Sequence, residues 1–219
     1  MLWDVDWTLL LDSASAGRLY DRAITEVTGV EPSGRRPNEH GKTDAGIITD
    51  RLADLGLGPD LLPAVRERLD ALSADAYTGD AARQQAPGVD AALQAVAAAG
   101  WRNGLLTGNS PARIRAKFRS ANLDPDRFPA GTWFTGEGTP VRADLARRAR
   151  QAHPRDTLVI VGDTPSDGVA ADAAGIPFLA VATGAFDEDA LRATGAVLVV
   201  PDLEQGLPEL LRTLDDLAR

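Results

Sequence analysis

The stretch Val159-Ile160-Val161-Gly162-Asp163-Thr164-Pro165-Ser166-Asp167 decides the fold of this chain. Its first three residues are apolar and β-branched, which predicts a buried strand, and the turn after them leads into a helix beginning at Pro165. Thr164 and Asp167 have the spacing of a capping box for that helix. Asp163 has no such structural role, and an acid at the tip of a buried strand is costly unless it is paired or binds a metal.

The same alternation of strand and helix continues outward in both directions. Further strands are predicted at 2–3, 101–106, 157–161, 177–182 and 196–200. Helical patterns lie near 88–99, 111–121, 143–152, 166–174, 187–193 and 207–218. Such alternation predicts an α/β fold, a Rossmann-like three-layer core whose parallel sheet has helices on both faces. Ligands in these folds bind beyond the carboxyl ends of the strands.

One segment, from about Ser13 to Gln85, breaks the alternation, because it shows helical patterns and no convincing strand. Apolar faces at helical spacing are formed by Leu19, Ile24 and Val27, by Ile47, Ile48, Leu52 and Leu55, and by Leu61, Val65, Leu69 and Leu72. We therefore expect a core of residues 1–12 and 86–219 with a helical cap of residues 13–85 inserted after the first strand. A cap there can act as a lid over the site, or it can be a helical subdomain with no part in catalysis.

The amino-acid composition limits the kinds of catalytic site and partner that this chain can have. The chain has 219 residues and a net charge of −9. It has no cysteine, which excludes thiolate sites, and its two histidines leave few candidates for Ser-His-Asp catalysis. An excess of acid repels the phosphates of nucleic acid and of anionic lipid, so we expect neither as a partner. The N-terminus lacks the basic residues of a signal peptide, and no apolar run spans a bilayer. We expect a cytoplasmic monomer or homodimer that acts on a small molecule.

Two further motifs follow predicted strands. In Asp4-Val5-Asp6-Trp7-Thr8 the two acids project to the same side of an extended chain, and their repulsion requires a cation or a shared proton. Mg²⁺, bound through carboxylates and substrate phosphate, would satisfy this requirement, whereas a solvated strand end is the alternative. In Leu105-Leu106-Thr107-Gly108-Asn109-Ser110-Pro111, Ser110 or Asn109 can cap the next helix, and the exposed amides can bind an anion.

In this order, the motifs DxDxT, TGN and GDTPSD resemble the signature of the haloacid dehalogenase-like hydrolase superfamily. The resemblance covers nearly the whole chain. It includes Pro87-Gly88-Val89 before the second motif and Arg142-Ala143-Asp144-Leu145 before the third. The helical segment after the first motif resembles that superfamily's first type of cap, and the motifs are close to the phosphoglycolate phosphatase-like branch.

The resemblance implies a phosphatase of small phosphorylated metabolites that requires Mg²⁺. Asp4 would be the nucleophile that forms an aspartyl-phosphate, and Asp6 the general acid and base. Asp163 would bind Mg²⁺ with the Asp4 carboxylate and the Asp6 carbonyl, and Asp167 would support this metal site. The Thr107 hydroxyl and the Gly108 and Asn109 amides would bind phosphoryl oxygens. The usual lysine is replaced by Arg142; Lys117 is the other candidate, although we expect it to face solvent.

The cap stretch His40-Gly41-Lys42-Thr43-Asp44 resembles a glycine-plus-cation segment that reaches the substrate in related caps. Lys42 is therefore predicted to select the organic part of the substrate, and His40 to be a surface residue. Thr43 or Asp44 can cap the following helix.

One departure stands out, because Trp7 replaces the superfamily's usual glycine. Either the turn is accessible at negative φ, or the indole fills space under the cap. Three other functions remain open: a sugar-phosphate mutase, a metal-independent dehalogenase, and a non-catalytic binding module.

Overall fold

A computed structural model describes residues 1–11, 16–32 and 39–219. The strands are short: β1 Leu2–Trp3, β2 Leu10–Leu11, β3 Gln84–Gln85, β4 Gly104–Thr107, β5 Trp133–Thr135, β6 Ile160–Gly162, β7 Phe178–Val181 and β8 Leu198–Val200. The α-helices are α1 Ala16–Thr28, α2 Asp44–Asp54, α3 Leu62–Ser73, α4 Val89–Ala98, α5 Pro111–Ser120, α6 Arg142–Ala152, α7 Pro165–Asp172, α8 Glu188–Arg192 and α9 Leu203–Leu217. Within these described residues, no helix has both the length and the apolar character needed to cross a bilayer.

Six strands form one parallel sheet in the order β5-β4-β1-β6-β7-β8. This confirms the predicted parallel sheet. The prediction missed β5, a three-residue strand at the sheet edge, because so short a segment carries little periodicity. The first strand, β1, lies at the centre between β4 and β6.

Helices cover both faces of the sheet, because successive strand residues point to opposite sides. Trp3 packs in one cluster with residues of α4, α5 and α9. Its neighbour Leu2 packs on the other face with residues of α6, α7 and α8. Val161 and Ile160 divide between the two clusters in the same way. The predicted three-layer α/β core is therefore confirmed.

Helices α1, α2 and α3 have an apolar cluster of their own, centred on the fully buried Ile24, Ile48 and Leu69. Strand β2 pairs antiparallel with β3, which brings the two ends of this helical segment side by side. The expectation of no strand between 13 and 85 was wrong at β3, whose Gln-Gln sequence gives no apolar strand pattern. The boundary at 12/13 lies outside the described residues, and the division into core and cap domains stays a prediction.

Side chains cap the N-termini of the helices that follow the motifs. Thr164 and Asp167 form the predicted capping box at the start of α7. Ser110 caps α5, with Pro111 in its first turn, and Thr43 caps α2. Where two residues could cap a helix, the structure selects Ser110 and Thr43. Asn109 and Asp44 are consequently available for other contacts.

Candidate active site

The three motifs meet at the carboxyl edge of the sheet because their strands are neighbours. Asp4 follows β1, Thr107 ends β4 and Asp163 follows β6. A cavity of about 340 Å³ lies between these loops and the helical segment. The predicted site residues that line it are Asp4, Asp6, Lys42, Thr107, Gly108, Asn109, Arg142 and Asp163.

The most concentrated charge in this cavity is a group of buried carboxylates. Asp4, Asp163 and Asp167 each place a carboxylate oxygen within 4.8 Å of the others. Oδ1 of Asp163 accepts a hydrogen bond of 3.4 Å from the Thr8 hydroxyl. Its Oδ2 is buried and has no hydrogen-bond partner among the described residues. A buried carboxylate oxygen of this kind calls for a proton or a cation.

Arg142, the first residue of α6, supplies the positive charge next to these acids. Its Nη2 lies 2.8 Å from Asp4 Oδ1 and 2.6 Å from Asp167 Oδ1. The guanidinium also donates to the carbonyls of Leu106, at 3.3 Å, and Gly41, at 3.2 Å. Arg142 is therefore buried at the predicted position of the core cation, and it ties the sheet edge to the cap segment.

Burial and charge shift the protonation of this group. Burial raises the pKa of Asp4 to about 6. The charge of Arg142 lowers this pKa, whereas the negative charges of Asp167 and Asp6 raise it. Burial and the charges of Asp4 and Asp167 raise the pKa of Asp163 well above its usual range. The pKa of Arg142 is raised despite burial, since the carboxylates of Asp167 and Asp4 stabilise its charged form.

The donor set fits a divalent metal ion. Three carboxylates face one guanidinium, so the fully ionised group carries two negative charges in excess, which a divalent cation would balance. Oxygen donors are those that Mg²⁺ prefers, and Asp163 offers a buried oxygen without a partner. Asp6 does not contribute its carboxylate to the group. The role of its backbone carbonyl stays a prediction.

Asp6 instead lies opposite a second cation, Lys117. The Lys117 Nζ is 2.6 Å from both carboxylate oxygens of Asp6 and 2.7 Å from Asn109 Oδ1. Asn109 Nδ2 donates to Asp6 at 2.8 Å and to the Thr107 hydroxyl oxygen at 2.9 Å. Burial would raise the pKa of Asp6, but Lys117 and these hydrogen bonds hold it at about 2.

The expectation that Lys117 faces solvent was wrong. Its side chain is only 1% exposed, because its ammonium group lies between Asp6 and Asn109 at the edge of the sheet. Tyr77 adds an aromatic ring whose centroid lies 5.9 Å from the ammonium. Arg142 and Lys117 thus both reach the site, on the Asp4 side and the Asp6 side respectively.

The loop Thr107-Gly108-Asn109 is fixed by the helical segment above it. A Cβ at Gly108 would lie 2.4 Å from the Lys42 carbonyl, so only glycine permits this approach. The Gly108 carbonyl accepts a hydrogen bond of 2.8 Å from the Asp44 amide. The backbones of this loop and of residues 42–44 are therefore in direct contact.

A buried ion pair, which the sequence analysis missed, joins the same two regions. Asp44 of α2 binds the guanidinium of Arg113 of α5, and both are almost fully buried. Asp44 also accepts a hydrogen bond of 2.6 Å from the Tyr20 hydroxyl and one of 2.9 Å from the Ser110 amide. One available signal was the spacing of four between Arg113 and Lys117, which places two cations on one face of α5.

The remaining predicted cap residue, Lys42, lies in a different setting. Its Nζ forms an exposed ion pair of 2.7 Å with Asp50. Although Lys42 lines the cavity, the ammonium group is engaged at the surface, and its role in substrate selection stays a prediction. His40 is exposed at the cavity edge, with its ring 6.0 Å from that of Phe186.

Residues 138–206, from just before Arg142 into α9, match the family model described as HAD-hydrolase-like. Over these residues the chain is similar to the haloacid dehalogenase-like hydrolases. No curated protein matches the sequence.

Solved structures share the fold of this chain along nearly its whole length. CbbY from Rhodobacter sphaeroides in complex with phosphate has 19% identity and a TM-score of 0.67, with 94% of each chain covered. A predicted phosphatase from Clostridium acetobutylicum has 15% identity and a TM-score of 0.70, covering 98% of this chain and 97% of that one. A putative beta-phosphoglucomutase from Bacteroides vulgatus has 18% identity and a TM-score of 0.70, covering 97% and 88%. At these identities the likeness establishes the fold.

Trp7, which stands where the haloacid dehalogenase-like superfamily usually has glycine, adopts φ of +59°. Of the two alternatives, the one in which the turn is reached at negative φ is therefore ruled out. The main chain requires the left-handed conformation that glycine favours, and Trp7 adopts it despite its side chain. The residue is half-buried and lines the cavity, in agreement with the alternative that the indole occupies space under the cap.

Proposed function

We propose that this protein hydrolyses a small phosphate monoester, with Mg²⁺, through an aspartyl-phosphate on Asp4. One observation carries the proposal: two acids, separated by a single residue at the end of the central strand, have opposite environments in one cavity. Asp4 faces the carboxylate group and Arg142, whereas Asp6 faces Lys117 and Asn109. Such a division suits a nucleophile and an acid–base catalyst.

In the first step, a carboxylate oxygen of Asp4 attacks phosphorus and the bond from phosphorus to the ester oxygen breaks. The leaving alkoxide takes a proton from Asp6. While Lys117 is paired with Asp6, it keeps the Asp6 carboxylate ionised. Asp6 can therefore be protonated only after the bound phosphoryl group has drawn the Lys117 ammonium toward itself. Asp6, still largely buried but without its cation, then takes up a proton and can act as the acid.

In the second step, Asp6, now ionised, accepts a proton from water as the water oxygen attacks phosphorus. The bond from phosphorus to the Asp4 oxygen breaks, which releases inorganic phosphate and restores the carboxylate. Arg142 and Lys117 flank the two acids and offset negative charge on the phosphoryl oxygens. Asn109 and Thr107, which are hydrogen-bonded to each other at 2.9 Å, orient the phosphoryl group with further hydrogen bonds.

Asp4, Asp163 and the Asp6 carbonyl would hold Mg²⁺, with Asp167 in support. When bound, the ion neutralises charge on the phosphoryl group and on the attacking carboxylate. The cavity volume of about 340 Å³ is near the lower end of small-molecule sites, which span roughly 300–1,000 Å³, and favours a small metabolite.

The test is capture of the intermediate. Incubation with an aryl phosphate and Mg²⁺, followed by acid quench and peptide mass analysis, should find a phosphorylated peptide that contains Asp4. The Asp6→Asn variant should accumulate it because the water lacks its base, and Asp4→Asn should show none. Turnover without a phosphopeptide in any variant would refute the aspartyl-phosphate route.

Activity assays on the same protein distinguish the other candidate functions. A sugar-phosphate mutase would use an identical core, so phosphate release must be compared with transfer to a second phosphorylated sugar. A metal-independent dehalogenase requires neither Asp163 nor the pair of Asp6 with Lys117, and full activity in excess chelator would favour it. Absence of turnover on any phosphate monoester would favour a binding module.

A further inference from the structure

The backbone of Trp7 is held in an unfavourable conformation from several sides. Its amide donates to the Leu10 carbonyl at 2.7 Å, and its carbonyl accepts a hydrogen bond from the Thr183 hydroxyl. A Cβ placed on Gly184 would lie 3.2 Å from the Cβ of Trp7, so the loop after β7 packs closely against the residue. Strained residues persist where the surrounding structure over-determines them, and such residues cluster at functional sites.

The cavity that Trp7 lines has a charged floor, and its cap side presents two apolar side chains among charged ones. The floor holds the carboxylates, Arg142 and Lys117. On the cap side, Tyr20 and Ile47 line the same space as Trp7. The organic part of a bound monoester must extend from the floor toward this cap side, because the phosphoryl group is held by the floor residues.

Each charged cap residue that lines the cavity in the described chain is already in an ion pair within the protein. Lys42 binds Asp50 at 2.7 Å. Glu39 binds the guanidinium of Arg51 at 2.8 and 2.6 Å. Asp44 binds Arg113 and is buried. Recruiting any of these groups to a charged substrate would break an existing pair, so the cap side offers apolar contact more readily than charge.

We propose that Trp7 is a specificity-determining residue that packs against an uncharged organic group of the substrate. This inference rests on the proposed phosphatase function and deepens it: the preferred monoesters carry a neutral ring or another apolar face next to the phosphate. An indole provides a large contact area at little entropic cost, and aromatic contacts add to binding beyond the area they bury.

The test compares three substitutions on two substrates, phenyl phosphate and the acidic phosphoglycolate. Trp7→Phe keeps a ring, Trp7→Ala removes it, and Trp7→Gly removes it and the strain. Each variant is compared with the wild type on the same substrate, so intrinsic reactivity cancels. We expect kcat/KM for phenyl phosphate to fall in the Ala and Gly variants by roughly two- to tenfold more than for phosphoglycolate. The Phe variant should retain most of the wild-type ratio.

Equal losses on both substrates would overturn the proposal, because Trp7 would then act only through the shape of the catalytic loop. No loss in the Ala and Gly variants would also overturn it. Inhibition by inorganic phosphate, measured in each variant, controls for damage to the floor of the site. If the wild type hydrolyses neither these nor other monoesters, the proposed function itself fails, which is a distinct outcome.

Discussion

Replacing Asp4 with asparagine should make the protein inactive and, without metal, more stable. Asp4 is 4% exposed and shares its surroundings with two other carboxylates. Asparagine has nearly the same volume and can still accept a hydrogen bond from Arg142. The substitution therefore removes a crowded charge and leaves the packing almost unchanged. Loss of the nucleophile abolishes turnover.

The pKa of Asp4 gives the size of the stability gain. It rises from 3.8 to about 6 on folding, and a shift of about two pKa units corresponds to about 3 kcal/mol. Because the folded-state pKa is raised, the ionised carboxylate destabilises the fold. That penalty is absent below about pH 4, where Asp4 is protonated in both states, grows between pH 4 and 6, and is complete above pH 6.

Urea denaturation in the presence of chelator, at about pH 7.5 and again at about pH 4, measures the difference. We expect Asp4→Asn to raise the free energy of unfolding by about 3 kcal/mol at the higher pH and by little at the lower one. The exposed Asp75→Asn is the charge-matched control and should change stability by less than about 0.5 kcal/mol. Added Mg²⁺ should stabilise the wild type more than the variant. A folded Asp4→Asn protein that is equally or less stable at pH 7.5, or that keeps wild-type turnover, would refute the reasoning.

Three other predictions follow from the site. Chelation should abolish turnover, and Mg²⁺ should restore it in the wild type but not in Asp163→Asn. Ca²⁺ should substitute poorly because it prefers longer bonds and more ligands. Full activity in excess chelator would contradict this prediction. Lys117→Met should lower kcat/KM for an aryl phosphate by roughly ten- to a hundredfold, since it removes a buried charge-assisted hydrogen bond to Asp6, and Lys117→Arg should recover part of the loss. Arg113→Met should lower the free energy of unfolding by about 3–5 kcal/mol because it leaves a buried carboxylate unpaired, whereas Arg102→Met, in a pair that is 69% and 46% exposed, should cost under about 1 kcal/mol.

Much of the core could be predicted because its signals are local. Apolar runs followed by turn residues indicated β1, β4 and β6. The carboxyl ends of parallel strands lie at one edge, so the convergence of Asp4, Thr107 and Asp163 required no knowledge of side-chain packing. The cap of α7 was predictable for the same reason, since Thr164 and Asp167 are only three residues apart.

The second half of the site depended on contacts between segments that are distant in sequence. Lys117 is buried against Asp6 and Asn109, and the pattern of a single helix cannot show which neighbours cover one of its residues. Asp44 and Arg113 meet across 69 positions, so local spacing shows at most that Arg113 shares a face of α5 with Lys117, and not which acid pairs with it. The positive φ of Trp7 likewise accompanies hydrogen bonds to Leu10, three residues later, and to Thr183, far later in the chain. Local periodicity thus determined which elements form and where the acids lie, whereas the tertiary structure alone decided which cations reach them, because burial and ion pairing depend on what packs against each helix.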